Sequence, residues 1–252
     1  MADLSKVEIL IKTFLRDSCL FNTIAAIKRT LPECRMLIAD CGEMTEEKDG
    51  IYSDLSREGH LCFTLPFDFG FGGMSNTLAS AVSREHALIA SDDFDFNPPE
   101  VRRGIERLVC VSDSLGADIA SGRVNNRPYE FLLDEYELNK IKEVPLNYEL
   151  YTGICDLTVN YSLIRKRVFE KVKWDDTKIG QGEHFAFFWD CKKAGFVTVW
   201  VPNVNISEQE NQNSERYNKY RNRALDPGRS CFDKRGITTY VCGNGQVDYD
   251  RG

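Results

Sequence analysis

"HALIASDDFDF", residues 86–96, runs from an apolar stretch into three aspartates, Asp92, Asp93 and Asp95. A short, continuously apolar run is expected of a strand buried on both faces, as in parallel sheets covered by helices. In open α/β sheets ligands bind outside the carboxyl ends of the strands, and the aspartates stand at such an end. Carboxylates this close raise one another's pKa unless a cation intervenes. A hard divalent ion with oxygen ligands, Mg2+ or Mn2+, answers that need. The competing reading is a solvated turn whose aspartates cap the helix starting at Pro98.

The flanking sequence supports the same architecture. Residues 7–11 read as a strand. Asp17 or Ser18 offers an N-cap to a helix with Leu20, Ile24, Ile27 and Leu31 on one face, stopped by Pro32. "RMLIAD" (35–40) is a second strand ending near Asp40 and Gly42, and "HLCFTLP" (60–66) is a third, joined to it by a loop. Gly70, Gly72 and Gly73 read as a loop before a helix that starts near Ser75. Residues 97–111 form a helix with proline in its first turn and Val101, Ile105, Leu108 and Val109 inward. Residues 117–124 are a strand, 125–150 are irregular, and a strand around 155–164 precedes a short basic helix. "GEHFAFFWDCKKAG" (182–195) is a helix closed by Gly195, and "FVTVWVP" (196–202) is a last strong strand. The expectation is an α/β fold, a mostly parallel central sheet flanked by helices. It forms a single domain over 1–208, with a polar, basic–aromatic extension over 209–252 that is flexible or docks late.

The chain has 252 residues, 42% of them hydrophobic, enough for one full-sized core. A net charge of −7 argues against a general polyanion binder. No stretch reaches the roughly 18 apolar residues of a membrane span, and the N-terminus lacks a signal-peptide pattern, so the expected location is the cytoplasm. Nine cysteines, an odd number without a CxxC pair, read as reduced thiols.

In order along residues 7–208, "ILIKTFLRDSCL", "LIADCG", "FGFGGMSNTLASAVSREHALIASDDFDF", "DLTVNYSLIRKRVFEKV" and "GEHFAFFWDCKKAGFVTVWVPNV" resemble the GT-A nucleotide-sugar glycosyltransferases of the family 2 type. Within them they resemble the β-1,4-N-acetylgalactosaminyltransferase (GM2 synthase-like) branch. The resemblance implies a GT-A, Rossmann-like fold and a metal-dependent, inverting transfer of a sugar from a nucleotide-sugar, a UDP-sugar favoured, to an acceptor hydroxyl. It implies that Thr13, Leu15, Arg16, Asp40, Gly73, Asn76 and Asp92 bind the donor nucleotide. Asp93 matches the main ligand of Mn2+ or Mg2+. Asp95 is an extra carboxylate that either joins the metal ligands, compensating for Ser91, which stands where relatives often carry the first aspartate, or faces solvent. The usual histidine ligand after the last strand is missing, leaving Asn203, Asn205 or Glu208 as substitutes. Phe185 and Ala186 occupy the usual acidic pair of the late helix. Glu183 is then the expected general base, His184 the second candidate and Asp156 a third.

Between residues 214 and 236, Arg216, Lys219, Arg221, Arg223, Arg229, Lys234 and Arg235 interleave with Tyr217, Tyr220 and Phe232. Such a segment reads as a lid over the donor, as a grip on an anionic or nucleic acid acceptor such as a modified DNA base, or as a solvated tail. Two other functional classes stay open. A nucleotidyltransferase ordinarily has a glycine-rich loop after its first strand, which "KTFLRDS" lacks. A catalytically impaired nucleotide-sugar- or glycan-binding module is kept open by Phe185 and Ala186.

Overall fold

A computed structural model describes residues 2–147, 151–176, 182–210, 214–221 and 227–251. The strands are β1 (Val7–Thr13), β2 (Arg35–Asp40), β3 (Leu61–Thr64), β4 (His86–Ser91), β5 (Phe94–Asp95), β6 (Ile119–Val124), β7 (Phe131–Glu137), β8 (Lys140–Pro145), β9 (Gly153–Cys155), β10 (Ser162–Arg165), β11 (Thr198–Glu208), β12 (Thr239–Val241) and β13 (Val247–Asp250). The helices are α1 (Asp17–Thr30), α2 (Glu46–Arg57), α3 (Phe71–Ala81), α4 (Pro99–Leu115), α5 (Lys166–Lys171), α6 (Glu183–Lys193), α7 (Glu215–Arg221) and α8 (Pro227–Asp233).

The apolar runs of β1, β2 and β4 are buried on both faces. Successive strand side chains point to opposite sides, so Ile9 and Ile11 join one core with Leu20, Ile27, Ile38 and Leu108. Leu10 joins a second core with Leu37, Leu78, Ile89 and Phe187. The main sheet runs β3-β2-β1-β4-β10-β6-β11-β5, with β9 paired to β11. Its first four strands are parallel, as is the β6–β11 pair, while β10 lies antiparallel between β4 and β6. The sheet is therefore mixed. After β4 the chain turns through Asp92 and Asp93, and β5 pairs with the end of β11, Asp95 opposite Ser207 and Phe94 opposite Glu208. The aspartate turn thus lies at the carboxyl ends of β4 and β11 together.

Four stretches differ from the sequence reading. The loop expected between the second and third strands is α2. Thr45 caps it by accepting from the Lys48 backbone N–H, and Lys48, Tyr52 and Leu55 are its buried residues. α3 starts at Phe71, so Gly72 and Gly73 lie in a helix. A side chain at Gly72 would collide with the Asp175 carbonyl and one at Gly73 with the Phe69 ring. The segment read as irregular contains the β7–β8 hairpin, turned at Asn139 with φ 62°. The strand expected around 155–164 is two, β9 and β10.

The extension is not a loose tail. β12 pairs with β8 and β13 with β12, giving a second sheet of order β13-β12-β8-β7. Phe232, Tyr240 and Tyr249 are buried against Phe185 of α6 or against one another. Arg235 pairs with Asp175 and Asp190. Of the basic residues singled out there, Arg223 and the side chain of Arg229 lie outside the described residues. Among the described residues no helix is long and apolar enough to cross a membrane.

Candidate active site at the carboxyl ends of β1 and β4

β1 ends in a turn where Leu15 takes a left-handed conformation, φ 55°. This is uncommon and costly for a residue with a side chain, and such outliers concentrate at functional sites. Arg16 follows and reaches across to the end of β4. Its terminal nitrogens donate to the carboxylates of Asp92 and Asp93 and, at 3.3 Å, to Ser91 Oγ. Asp92 is fully buried, and the Arg16 and Asp93 side chains are 9% and 7% exposed. Asp92 Oδ2, Asp93 Oδ1 and Arg16 Nε are buried without hydrogen-bond partners. Burial, outweighing the neighbouring Arg16, pushes the Asp92 carboxyl up to about 6. The Tyr217 ring of α7 covers the guanidinium, its centroid 4.7 Å from Cζ.

Two residues that the sequence reading missed hold the aspartate turn. Thr23 Oγ1 lies 2.9 Å from the Asp92 carbonyl oxygen and 3.0 Å from that of Phe94. The Gln209 backbone N–H donates to the Asp93 carbonyl at 2.7 Å, and its side-chain amide donates to Thr23 Oγ1 at 2.8 Å. No local pattern flags either one, because their partners come from the far ends of other elements.

Glu183 opens α6 after Gly182, a residue with φ 83°. It is buried, its Oε2 has no partner, and burial raises its pKa against the opposing charge of Lys12. Lys12, on β1, was also missed. Its ammonium lies 5.1 Å from the Phe71 ring centroid, and burial lowers its pKa against the charges of Glu183 and Asp92. Nearby Phe14, Phe67 and Tyr220 form a ring cluster with centroids 5.4–5.5 Å apart.

Other expected site residues are engaged elsewhere. Asp40 accepts from the Gly42 N–H at 2.8 Å, from Tyr52 Oη at 2.7 Å and from Lys48 Nζ at 2.9 Å. It ties β2 to α2 rather than offering an empty carboxylate. Asn76 exchanges two bonds with the Trp174 backbone, and Gly73 lies under Phe69. Both make packing contacts within the fold. Asp156 Oδ2 accepts from the Leu133 N–H at 2.8 Å and from Lys192 Nζ at 2.7 Å, fastening β7 to α6. The His184 ring bonds the Thr158 carbonyl, and burial lowers its pKa to about 4. Both side chains are engaged within the fold.

The expected metal ligands do not form one set. Asp95 Oδ1 accepts from the Asn97 N–H and side-chain amide at 2.9 and 2.7 Å, and Glu208 Oε2 accepts from Asn125 at 2.7 Å. The β5–β11 register projects Asp95 and Glu208 to opposite faces. The carboxylates that fit a hard cation are Asp92 and Asp93, each buried with one oxygen lacking a partner. A second group, Glu85, His86 and Asp113, brings ligand atoms within 4.8 Å of one another, but at the amino end of β4. Arg165 pairs with both of its carboxylates, at 3.1 and 2.6 Å.

No family model matches the chain. It is 27% identical over 190 residues, 71% of its length, to beta-1,4 N-acetylgalactosaminyltransferase 2 of Mus musculus. It is 33% identical over 118 residues, 47% of its length, to beta-1,4 N-acetylgalactosaminyltransferase 1 of Homo sapiens. The matched regions are 35% and 20% of those proteins, so the chain spans about a third of the longer-matched relative. Among solved structures it resembles residues 1–349 of S. aureus TarS, with a TM-score of 0.57 and 10% identity, covering 81% of this chain and 60% of that one. The same TarS fragment is known in complex with UDP. A mannosyltransferase from Pyrobaculum calidifontis in complex with GDP-Man and Mn2+ gives a TM-score of 0.56 at 11% identity, covering 85% and 59%. These structural likenesses show the fold, a GT-A-like α/β domain with a small C-terminal β extension.

Proposed function

We propose that this chain transfers a sugar from a nucleotide-sugar to an acceptor hydroxyl with inversion at the anomeric carbon. The observation that carries the reading is the pairing of two functions at the carboxyl ends of β1 and β4. A buried carboxylate pair beside Arg16 suits the donor's diphosphate end, and a separate buried carboxylate, Glu183, has a free oxygen and a raised pKa. Likeness to the N-acetylgalactosaminyltransferases supports a UDP-sugar, N-acetylgalactosamine first among the sugars to try.

Asp92 and Asp93 would hold Mn2+ or Mg2+, which when bound neutralises the charge of the departing diphosphate. The Phe14, Phe67 and Tyr220 rings offer stacking surface for the nucleotide base at the ends of β1 and β3. Glu183 takes the proton of the acceptor hydroxyl. The oxygen attacks the anomeric carbon from the face opposite the diphosphate, whose bond breaks with its electron pair going to the phosphate oxygen. Lys12 opposes the rise that burial imposes on the Glu183 pKa.

The acceptor that fits best is a glycan hydroxyl. A nucleic acid acceptor calls for free cations, and three of the seven basic residues named in the extension are already paired, Arg216 with Glu43, Lys234 with Asp175, and Arg235 with Asp175 and Asp190.

The test is thermal denaturation with UDP-, GDP-, dTDP- and CMP-sugars, with and without Mn2+, followed by assay of nucleotide release with oligosaccharide acceptors. A shift with one nucleotide class plus release supports the reading, and no shift with any class overturns it. A shift without turnover favours the binding-module reading. That alternative draws support from Phe185, whose ring centroid packs 4.4 Å from that of Tyr240 at a position where the sequence resemblance leads one to expect an acid.

A further inference from the structure

Two buried carboxylates side by side do not both ionise without a cation. Here the resident cation is Arg16. Its fork engages one oxygen of Asp92 and one of Asp93, and Tyr217 closes over it, held in turn by Arg221, whose guanidinium donates to Tyr217 Oη at 2.9 Å. The balance is incomplete. Two carboxylates face one guanidinium, and three buried polar atoms, Asp92 Oδ2, Asp93 Oδ1 and Arg16 Nε, have no partner. The cluster therefore still attracts a cation, yet the guanidinium sits on the carboxylates a divalent ion would use. At contact distances within a buried site, like charges repel strongly, so ion and guanidinium do not share the pair comfortably.

We propose that Arg16 is a resident counter-ion that holds Asp92 and Asp93 in place of the divalent ion, gives way when the ion arrives with the nucleotide, and then grips the donor's diphosphate. The last step rests on the transferase reading. The planar fork of arginine suits a phosphate as well as a carboxylate, so the freed side chain exchanges one anionic partner for another. Its unpartnered Nε–H supplies a further donor. An ion arriving alone must break two ion pairs with no new partner for Arg16. Ion and nucleotide each therefore bind more tightly in the other's presence, by the same factor.

The experiment compares wild type with Arg16→Met, measuring Mn2+ binding by the loss of the free-ion EPR signal, and UDP binding by calorimetry with and without Mn2+. The variant is expected to bind Mn2+ alone about tenfold more tightly, because the competing charge is gone. It is expected to bind UDP in the presence of Mn2+ about tenfold more weakly, because the guanidinium–phosphate contact is lost. Opposite signs for the two ligands support the proposal. Weaker or unchanged Mn2+ binding by the variant overturns it, since Arg16 then merely orients the carboxylates. If circular dichroism shows that Arg16→Met does not fold, Arg16→Lys takes its place. Its single ammonium engages the pair less completely, so Mn2+ binding must again tighten, and failure to do so overturns the proposal. If UDP and the other nucleoside diphosphates bind wild type under neither condition, the transferase reading falls, while the Mn2+ measurement still decides the counter-ion role.

Discussion

Asn76 and Trp174 exchange two hydrogen bonds of 2.9 Å. The Asn76 amide donates to the Trp174 carbonyl and accepts from the Trp174 N–H, joining α3 to the segment that carries Asp175 and leads toward α6. The amide is thus tied to the backbone on both sides, which fixes its orientation. Asn76→Ala leaves a backbone donor and acceptor without their partners, at about 1–3 kcal/mol for such an unsatisfied group. We expect Asn76→Ala to lower stability by about 2 kcal/mol in urea unfolding, with UDP affinity unchanged within error. A tenfold loss of affinity at unchanged stability would return Asn76 to the donor site.

Glu183 is buried, with a partnerless Oε2 and a pKa raised by that burial. Glu183→Gln keeps the shape and removes the proton acceptor. Turnover should fall by about 10²–10⁴-fold while nucleotide binding persists. The sign of the pH dependence follows from the base needing its ionised form: the wild-type rate rises with pH through the raised Glu183 pKa and then levels. Asp156→Asn serves as the contrast, because Asp156 is committed to Leu133 and Lys192. It should change stability rather than the pH profile. A variant at Glu183 with wild-type turnover would rule that residue out.

Much of the central sheet is legible because its signals are local. β1, β2, β4 and α4 announce themselves by continuous apolar runs or helical spacing. α2 escapes because one of its three buried residues is a lysine, Lys48, whose charge is met by Asp17 and Asp40. The hairpin and the C-terminal strands escape because their sheet is largely exposed, leaving few buried positions such as Leu133, Ile141, Tyr240 and Tyr249 to mark a pattern. At the site, the strand-end position of Arg16, Asp92 and Asp93 is readable, and the structure brings the three together. Whether a polar residue faces a ligand or a backbone is not readable, because that depends on partners far along the chain. Asn76 meets Trp174 across 98 residues, and His184 meets Thr158 across 26.

The C-terminal extension is held by a charge network whose centre, the Arg235–Asp175 pair, is largely buried. Arg235, 12% exposed, bonds Asp175 and Asp190, while Lys234, 54% exposed, adds a 3.0 Å contact to Asp175. Removing one partner of a buried pair leaves the other charge uncompensated, at about 3 kcal/mol. Arg235→Met should therefore destabilise the protein by about that amount and speed amide exchange in β12 and β13. Lys234→Met, losing an exposed contact, should cost less than about 1 kcal/mol. Equal effects would mean that the aromatic packing of Phe232, Tyr240 and Tyr249 holds the extension without help from Arg235.

His184 makes acid sensitivity a local property. Burial lowers its pKa from the ordinary 6.5 to about 4, and the ring stays neutral against the Thr158 carbonyl. Below pH 6.5 the unfolded chain takes up a proton that the folded chain refuses until about pH 4. The unfolded state is thereby favoured, so this contribution to stability, full above 6.5, drains as pH falls through that window. His60 and His86 are lowered by burial as well, while Asp92, raised to about 6, works in the opposite direction because its ionised form is the disfavoured one. The wild-type curve therefore sums opposing slopes, and the informative quantity is a difference. His184→Gln keeps a donor for the Thr158 carbonyl and removes the titration. The stability gap between variant and wild type, followed by urea unfolding, should shift in the variant's favour from pH 6.5 down to pH 4. A gap independent of pH would mean that His184 titrates normally in the folded protein and is open to solvent.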